Sequence, residues 1–187
     1  MGKIMLVKGF NKMAIKFQIR KNSVLIFILF IFSCNDYMYN EDDLGSLLGV
    51  KAVIESRLYS YEEISGIQGE GYLFNKYTLT DETTSSFISL NAKNSFPKKD
   101  EYKLNWKCIT WKKGYMLNDN ILDLLKVFEQ HSNKELKKEV NELKLNLNNP
   151  DNFYSLFFKD SIEDPYAIEL LVFNPKNKEF WVVNIVT

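Results

Sequence analysis

Two apolar runs near the end of the chain, residues 167–173 and 180–186, restrict the fold more than any other feature. They flank Asn174-Pro175-Lys176-Asn177, where proline in the second position suits a type I turn. Successive side chains of a strand point to opposite faces, yet here both alternating sets are apolar. Leu170 and Val172 stand against Leu171 and Phe173, and Phe180 and Val182 against Trp181 and Val183. A strand with one face in water keeps polar residues at every second position. A hairpin apolar on both faces is therefore central in its sheet or covered on both sides.

Covering helices are legible upstream. Asn118 or Asp119 can cap a helix in which Ile121, Leu124, Leu125 and Phe128 recur at i, i+3, i+4, i+7. Ser132-Asn133-Lys134-Glu135 then matches a capping box with serine at the N-cap. Leu136, Val140, Leu143 and Leu147 continue an apolar stripe. Asp42 or Asp43 can start a shorter helix through Leu44, Leu47, Leu48 and Val50, and Thr80-Asp81-Glu82 another that ends near Phe87 and Ile88.

Over residues 51–65 a helical stripe through Val53, Ile54, Leu58 and Tyr61 competes with a strand at 57–61, and the strand is favoured. Further strands are expected over 72–80 and 104–111. In the latter, alternation puts Leu104, Trp106 and Cys108 on one face and Ile109 and Trp111 on the other, unless the strand is bulged. Asn149-Pro150 reads as the start of a short helix through Phe153, Leu156 and Phe157. The expected fold is α+β: an antiparallel sheet of about four or five strands, with a helix pair on one face and the C-terminal hairpin central.

No catalytic constellation emerges from the residues. His131 is the only histidine and sits just outside a helix cap; without a cysteine cluster it cannot assemble a zinc site. No Gly-x-Ser-x-Gly elbow accompanies it. The glycine cluster Gly66-Ile67-Gln68-Gly69-Glu70-Gly71 leads into a strand-like segment and not a helix, so it reads as a turn and not a phosphate loop. Asp160, Glu163 and Asp164 lack the spacing of a calcium loop and read as solvated. Cys108 reads as a small buried hydrophobe, and the tryptophans as core residues. No catalytic, metal-binding or cofactor-binding residue is expected.

At the other end of the chain, Val24 to Phe32 are nine uninterrupted apolar residues. A membrane-spanning helix needs roughly 20, whereas a signal-peptide hydrophobic region has ~7–15. Lys3, Lys8, Lys12, Lys16, Arg20 and Lys21 precede the run, with no Asp or Glu before Asp36. This is the pattern of a secretory leader, starting at Met1 or Met13. Ile31-Phe32-Ser33-Cys34 resembles the lipobox of bacterial lipoproteins: an aliphatic residue, a variable one (Phe32 is bulkier than usual), a small one, then cysteine.

The resemblance covers the leader and Cys34 alone. It implies a diacylglyceryl group on the Cys34 thiol, with residues 1–33 removed as signal peptide. The alternatives are an ordinary secretory signal cut near Ser33 or a free buried cysteine. Two or three acyl chains, at about 0.8 kcal/mol per buried CH₂, hold a domain firmly where one does not. Residues 34–43 read as a polar, acidic tether and 44–187 as a single globular domain, similar to small bacterial lipoproteins with an acidic soluble domain. Asn35 is unlike the usual inner-membrane retention signal, which favours the outer membrane.

Loss of residues 1–33 turns a neutral chain into one with 18 basic and 24 acidic residues, a formal net charge of −6. Such a domain is unsuited to nucleic acid, whose affinity comes from phosphate neutralisation, and suited to a basic partner. The expectation is a lipid-anchored cell-envelope protein that binds another macromolecule without catalysis, an immunity or inhibitor protein being one concrete form. The competing expectations are an envelope hydrolase or carbohydrate-binding protein using Asp/Glu and aromatics, and a purely structural envelope component.

Overall fold

The C-terminal hairpin takes the two middle places of a six-stranded antiparallel sheet, in the order β1-β2-β6-β5-β4-β3. The computed structural model describes residues 39–65, 70–90, 93–98, 105–116 and 119–187. The strands are β1 (Ile54–Ser65), β2 (Glu70–Leu79), β3 (Lys107–Lys113), β4 (Phe153–Asp160), β5 (Pro165–Asn174) and β6 (Glu179–Val186). The β1–β2 hairpin forms one edge, the chain crosses to β3 at the other, and β4, β5 and β6 return as a meander until β6 pairs with β2. The α+β class and the central hairpin are as expected; the sheet has six strands, not four or five.

Both faces of the sheet are covered. On one face Leu170, Val172, Trp181 and Val183 pack beneath the helices α3 (Asp119–Leu124), α4 (Lys126–Glu129) and α5 (Lys134–Leu147). On the other, Leu171, Phe173, Phe180 and Val182 pack beneath α1 (Glu41–Leu48) and α2 (Asp81–Ser89). Helices on both faces, where a pair on one face was expected, follow from the hairpin's own composition. A fully buried Leu, Val or Phe side chain contributes roughly 1.5–3 kcal/mol, and only two cores can collect that from both alternating sets.

Tyr39, inside the stretch expected to be tether, is the first described residue and opens the unit of residues 39–187; residues 34–38 lie outside the described residues. Tyr39 is buried, and its hydroxyl donates to Glu169 Oε2 at 2.7 Å. Asn40, and not Asp42 or Asp43, caps α1: it accepts from the Asp43 N–H at 2.9 Å, while Asp43 accepts from the Asn40 N–H at 3.0 Å. The helix ends at Gly49 with φ +76°, where a Cβ would lie 2.5 Å from the Phe96 ring, so conformation and space both require glycine.

Three more expectations are corrected. Residues 153–160 form strand β4, not a helix after Asn149-Pro150: Phe153, Tyr154, Leu156, Phe157 and Phe158 are apolar on both alternating faces, and β3 and β5 pair with both edges. The helix expected from 119 to 128 is two short ones interrupted at Leu125. The cap of α5 is Asn133 and not Ser132; its side chain accepts from Glu135 N–H at 3.0 Å and Leu136 N–H at 3.1 Å.

A bulge settles the tryptophan question. Ile109 faces Leu156 and Lys112 faces Tyr154, three residues of β3 against two rungs of β4. The extra residue returns Trp111 to the same core as Trp106 and Cys108. Trp111 is fully buried, with its indole N–H donating to Leu47 O at 2.8 Å.

Candidate functional site

A polar seam runs between the β1–β2 edge and the flank of α5. On β1 the alternation puts Tyr59, Tyr61 and Glu63 on the α5 side, and on β2 it puts Tyr72, Phe74 and Lys76 there. His131, in the turn before α5, closes one end of the seam.

The Tyr61 hydroxyl lies 2.7 Å from His131 Nε2, and both meet the same carboxylate. Tyr61 donates a short hydrogen bond to Glu63 Oε2, and His131 Nε2 stands 2.9 Å from that oxygen. His131 Nδ1 accepts from the Asn133 N–H at 3.3 Å, which in a neutral ring leaves the proton on Nε2, facing Glu63. The Tyr61 and His131 rings meet edge to face at 5.2 Å.

Burial raises the Tyr61 phenol above its ordinary pKa, and the hydrogen bond and charge of Glu63 add to the effect. The hydrogen bond from Tyr61 holds the Glu63 carboxyl below the usual range, with a further contribution from His131. Tyr61 is kept protonated, and both nitrogens of a neutral His131 ring are engaged, Nδ1 by the Asn133 N–H and Nε2 by Glu63, so neither group is free to act as nucleophile or base. What the arrangement does supply is an oriented carboxylate: Glu63 is fixed through Oε2 while 42% of its side chain remains at the surface, so it can still accept bonds from a basic group.

Because the folded Glu63 carboxyl lies below its unfolded value, its contribution is complete above the ordinary glutamate range and is lost as pH falls through the lowered folded value. The Glu63 carboxyl carbon, followed by NMR, is expected to titrate below that range and to move upward in Tyr61→Phe. An unmoved midpoint in the variant would show that the phenol does not set it.

Lys76 occupies the other end of the seam, only 5% exposed in the middle of β2. Its Nζ lies 2.6 Å from Glu142 Oε1, 3.1 Å from Glu179 Oε1 and 3.5 Å from Glu139 Oε2, and 5.0 Å from the centre of the Trp181 ring. Burial alone would lower its pKa, but the bonds to Glu142 and Glu179 prevail and raise it. One cation among three carboxylates ties α5 to β2 and β6. Its chemistry is that of a structural clamp.

Cys34, and Gly66 and Gly69 of the glycine cluster, lie outside the described residues; Gly71 is in β2. Cys108 is half-buried on β3, 3.8 Å from Pro97 O. Asp160, Glu163 and Asp164 remain in an exposed segment, and among the described residues no group of His, Cys, Asp and Glu is arranged to hold a metal ion. In the sequence His131 stands only as a histidine outside a helix cap and Tyr61 only as a member of a strand, and Lys76 is unmarked. The available signals were a lysine inside an aromatic strand, and Glu139 on the apolar stripe of α5. The chain matches no family model, no curated protein and no solved structure.

Proposed function

We propose that this protein is a lipid-anchored protein of the cell envelope, held through Cys34 at the outer membrane, that acts by binding another protein and not by catalysis. The observation that carries the binding reading is the one-signed edge of the sheet. Between Arg57 and Lys76 the sequence holds Glu62, Glu63 and Glu70 and no lysine or arginine, and this span forms most of the β1–β2 hairpin. A protein with a basic surface, such as a toxin met by its immunity protein, is the partner such an edge suits. The short apolar run Val24 to Phe32, followed by Ser33-Cys34, supports the anchor.

Radiolabelled palmitate is expected to enter the wild-type protein and not Cys34→Ala, and the variant to leave the membrane fraction. Label that persists in the variant would remove the anchor. Purification from an envelope extract in mild detergent is expected to bring a basic protein along, in a complex that dissociates with salt. Recovery of the protein alone would remove the binding reading.

A further inference from the structure

We propose that the outer edge of β1, along Tyr59–Ser65, receives an extended, lysine- or arginine-bearing segment of a partner protein as a seventh strand. This rests on the acidic-edge reading above and specifies how the partner docks.

The two edges of the sheet differ. β3, at one end, is met by the preceding segment, where Trp111 N–H donates to Phe96 O at 2.9 Å. β1, at the other end, has a paired neighbour only in β2 among the described residues. An edge strand presents a row of main-chain donors and acceptors to any incoming chain, and β1 is twelve residues long.

The first half of β1 is protected. Its pairing with β2 is irregular between Ile54 and Ser56 and again between Arg57 and Tyr59, and such bulges twist an edge out of register for another strand. From Tyr59 to Ser65 the pairing is unbroken, residue for residue, against Lys76 to Glu70. That is long enough for an added strand of ordinary length.

Charge then selects the occupant. Glu62 and Glu63 are neighbours on the regular half, so they point to opposite faces, and an incoming strand meets a carboxylate on each. Glu63 is already oriented by Tyr61 and His131. A second copy of this chain, pairing β1 with β1, would bring like charges together across the new ladder, which is destabilising. A basic segment instead places cations beside both carboxylates, while the main-chain ladder supplies affinity.

The full-length protein in detergent would be titrated with the acetylated, amidated octapeptide Val-Thr-Val-Lys-Lys-Val-Thr-Val, with main-chain hydrogen exchange followed in β1. Expected are slowed exchange in Tyr59–Ser65, affinity at least tenfold weaker for the same peptide N-methylated at alternate residues, and affinity about fivefold weaker for the Glu62→Gln/Glu63→Gln variant. The N-methylated arm uses wild-type protein, so a folding defect in the variant cannot imitate it. Equal binding of the N-methylated peptide, no binding of the parent peptide, or protection elsewhere than β1 would overturn strand addition. Equal binding with continued dependence on Glu62 and Glu63 would overturn strand addition alone and leave the acidic-edge reading standing. Unchanged affinity in the glutamine variant would overturn the charge selection on which both depend.

Discussion

Replacing Lys76 with methionine is expected to lower the unfolding free energy by about 3 kcal/mol, although methionine fills nearly the same space. Loss of the ammonium leaves Glu139, Glu142 and Glu179 facing one another, where each had an oxygen within 3.5 Å of a single Nζ. Removing one member of a buried ion pair costs about 3–5 kcal/mol, because the remaining charge keeps its desolvation penalty without its partner. The lower end applies here: the Glu142 side chain is 34% exposed, and water screens it. For a domain of this size each kcal/mol is worth roughly 2–4 °C, so chemical denaturation and thermal melting should both detect the change.

Two further measurements separate charge from packing. Adding Glu139→Gln, Glu142→Gln and Glu179→Gln to Lys76→Met should restore most of the loss, since neutral groups in place of a buried ionic cluster are often no less stable. The wild-type contribution of Lys76 depends on pH. The folded pKa of Lys76 is raised, so its contribution is complete below the ordinary lysine value and fades as pH rises through the folded one. A deficit that survives the three glutamine substitutions would show that methionine simply packs badly against Trp181.

The readable parts of this fold are those where a local pattern and a tertiary need coincide. The β5–β6 hairpin was legible because its two apolar sets admit few surroundings, and α5 because Leu136, Val140, Leu143 and Leu147 form the face it buries. The segment after Asn149-Pro150 misleads for a physical reason. Phe153, Leu156 and Phe157 satisfy a helical spacing, while the strand that forms instead depends on β3 and β5 supplying two ladders, and no window around residue 153 contains that information. Trp111 is a similar case. Strict alternation separates it from Trp106, and a single bulged residue reverses that.

The candidate site was less legible than the fold because its members meet only through topology. Tyr61 and Glu63 lie on the first strand and His131 in the turn before α5, joined when α5 is laid along the β1–β2 edge. Tyr-x-Glu on a strand is unremarkable by itself, and so is a histidine near a helix cap. Lys76 could have been noticed, since a cation in an aromatic strand needs a partner if that strand is inside. Identifying three carboxylates from α5 and β6 needed the assembled sheet.

Phe87→Ala is expected to cost about 4–5 kcal/mol, more than the lysine change, and by a different route. Phe87 is the apolar anchor of α2, whose other buried residues are Thr83 and Thr84. Its ring meets Trp111 at 5.3 Å, Phe153 at 5.2 Å and Phe173 at 5.0 Å, each edge to face. Phenylalanine truncation in a core costs about 3–5 kcal/mol, and edge-to-face aromatic pairs add about 0.5–1.5 kcal/mol each, so the upper part of the range applies. The alternative to a global loss is local detachment of α2. Thr80 caps that helix, and its nine residues are too few to persist without packing. Hydrogen exchange distinguishes the outcomes: acceleration confined to 81–89 marks detachment, whereas acceleration reaching β5 and β6 marks loss of the whole second core. The second is expected, because Phe173 belongs to the central hairpin and Trp111 to the edge strand, so the cavity opens at the junction of both. Phe87→Leu, which keeps most of the volume without the edge-to-face contacts, should recover more than half of the deficit. A leucine variant as unstable as the alanine one would mean that ring geometry, and not filled volume, holds α2 to the sheet.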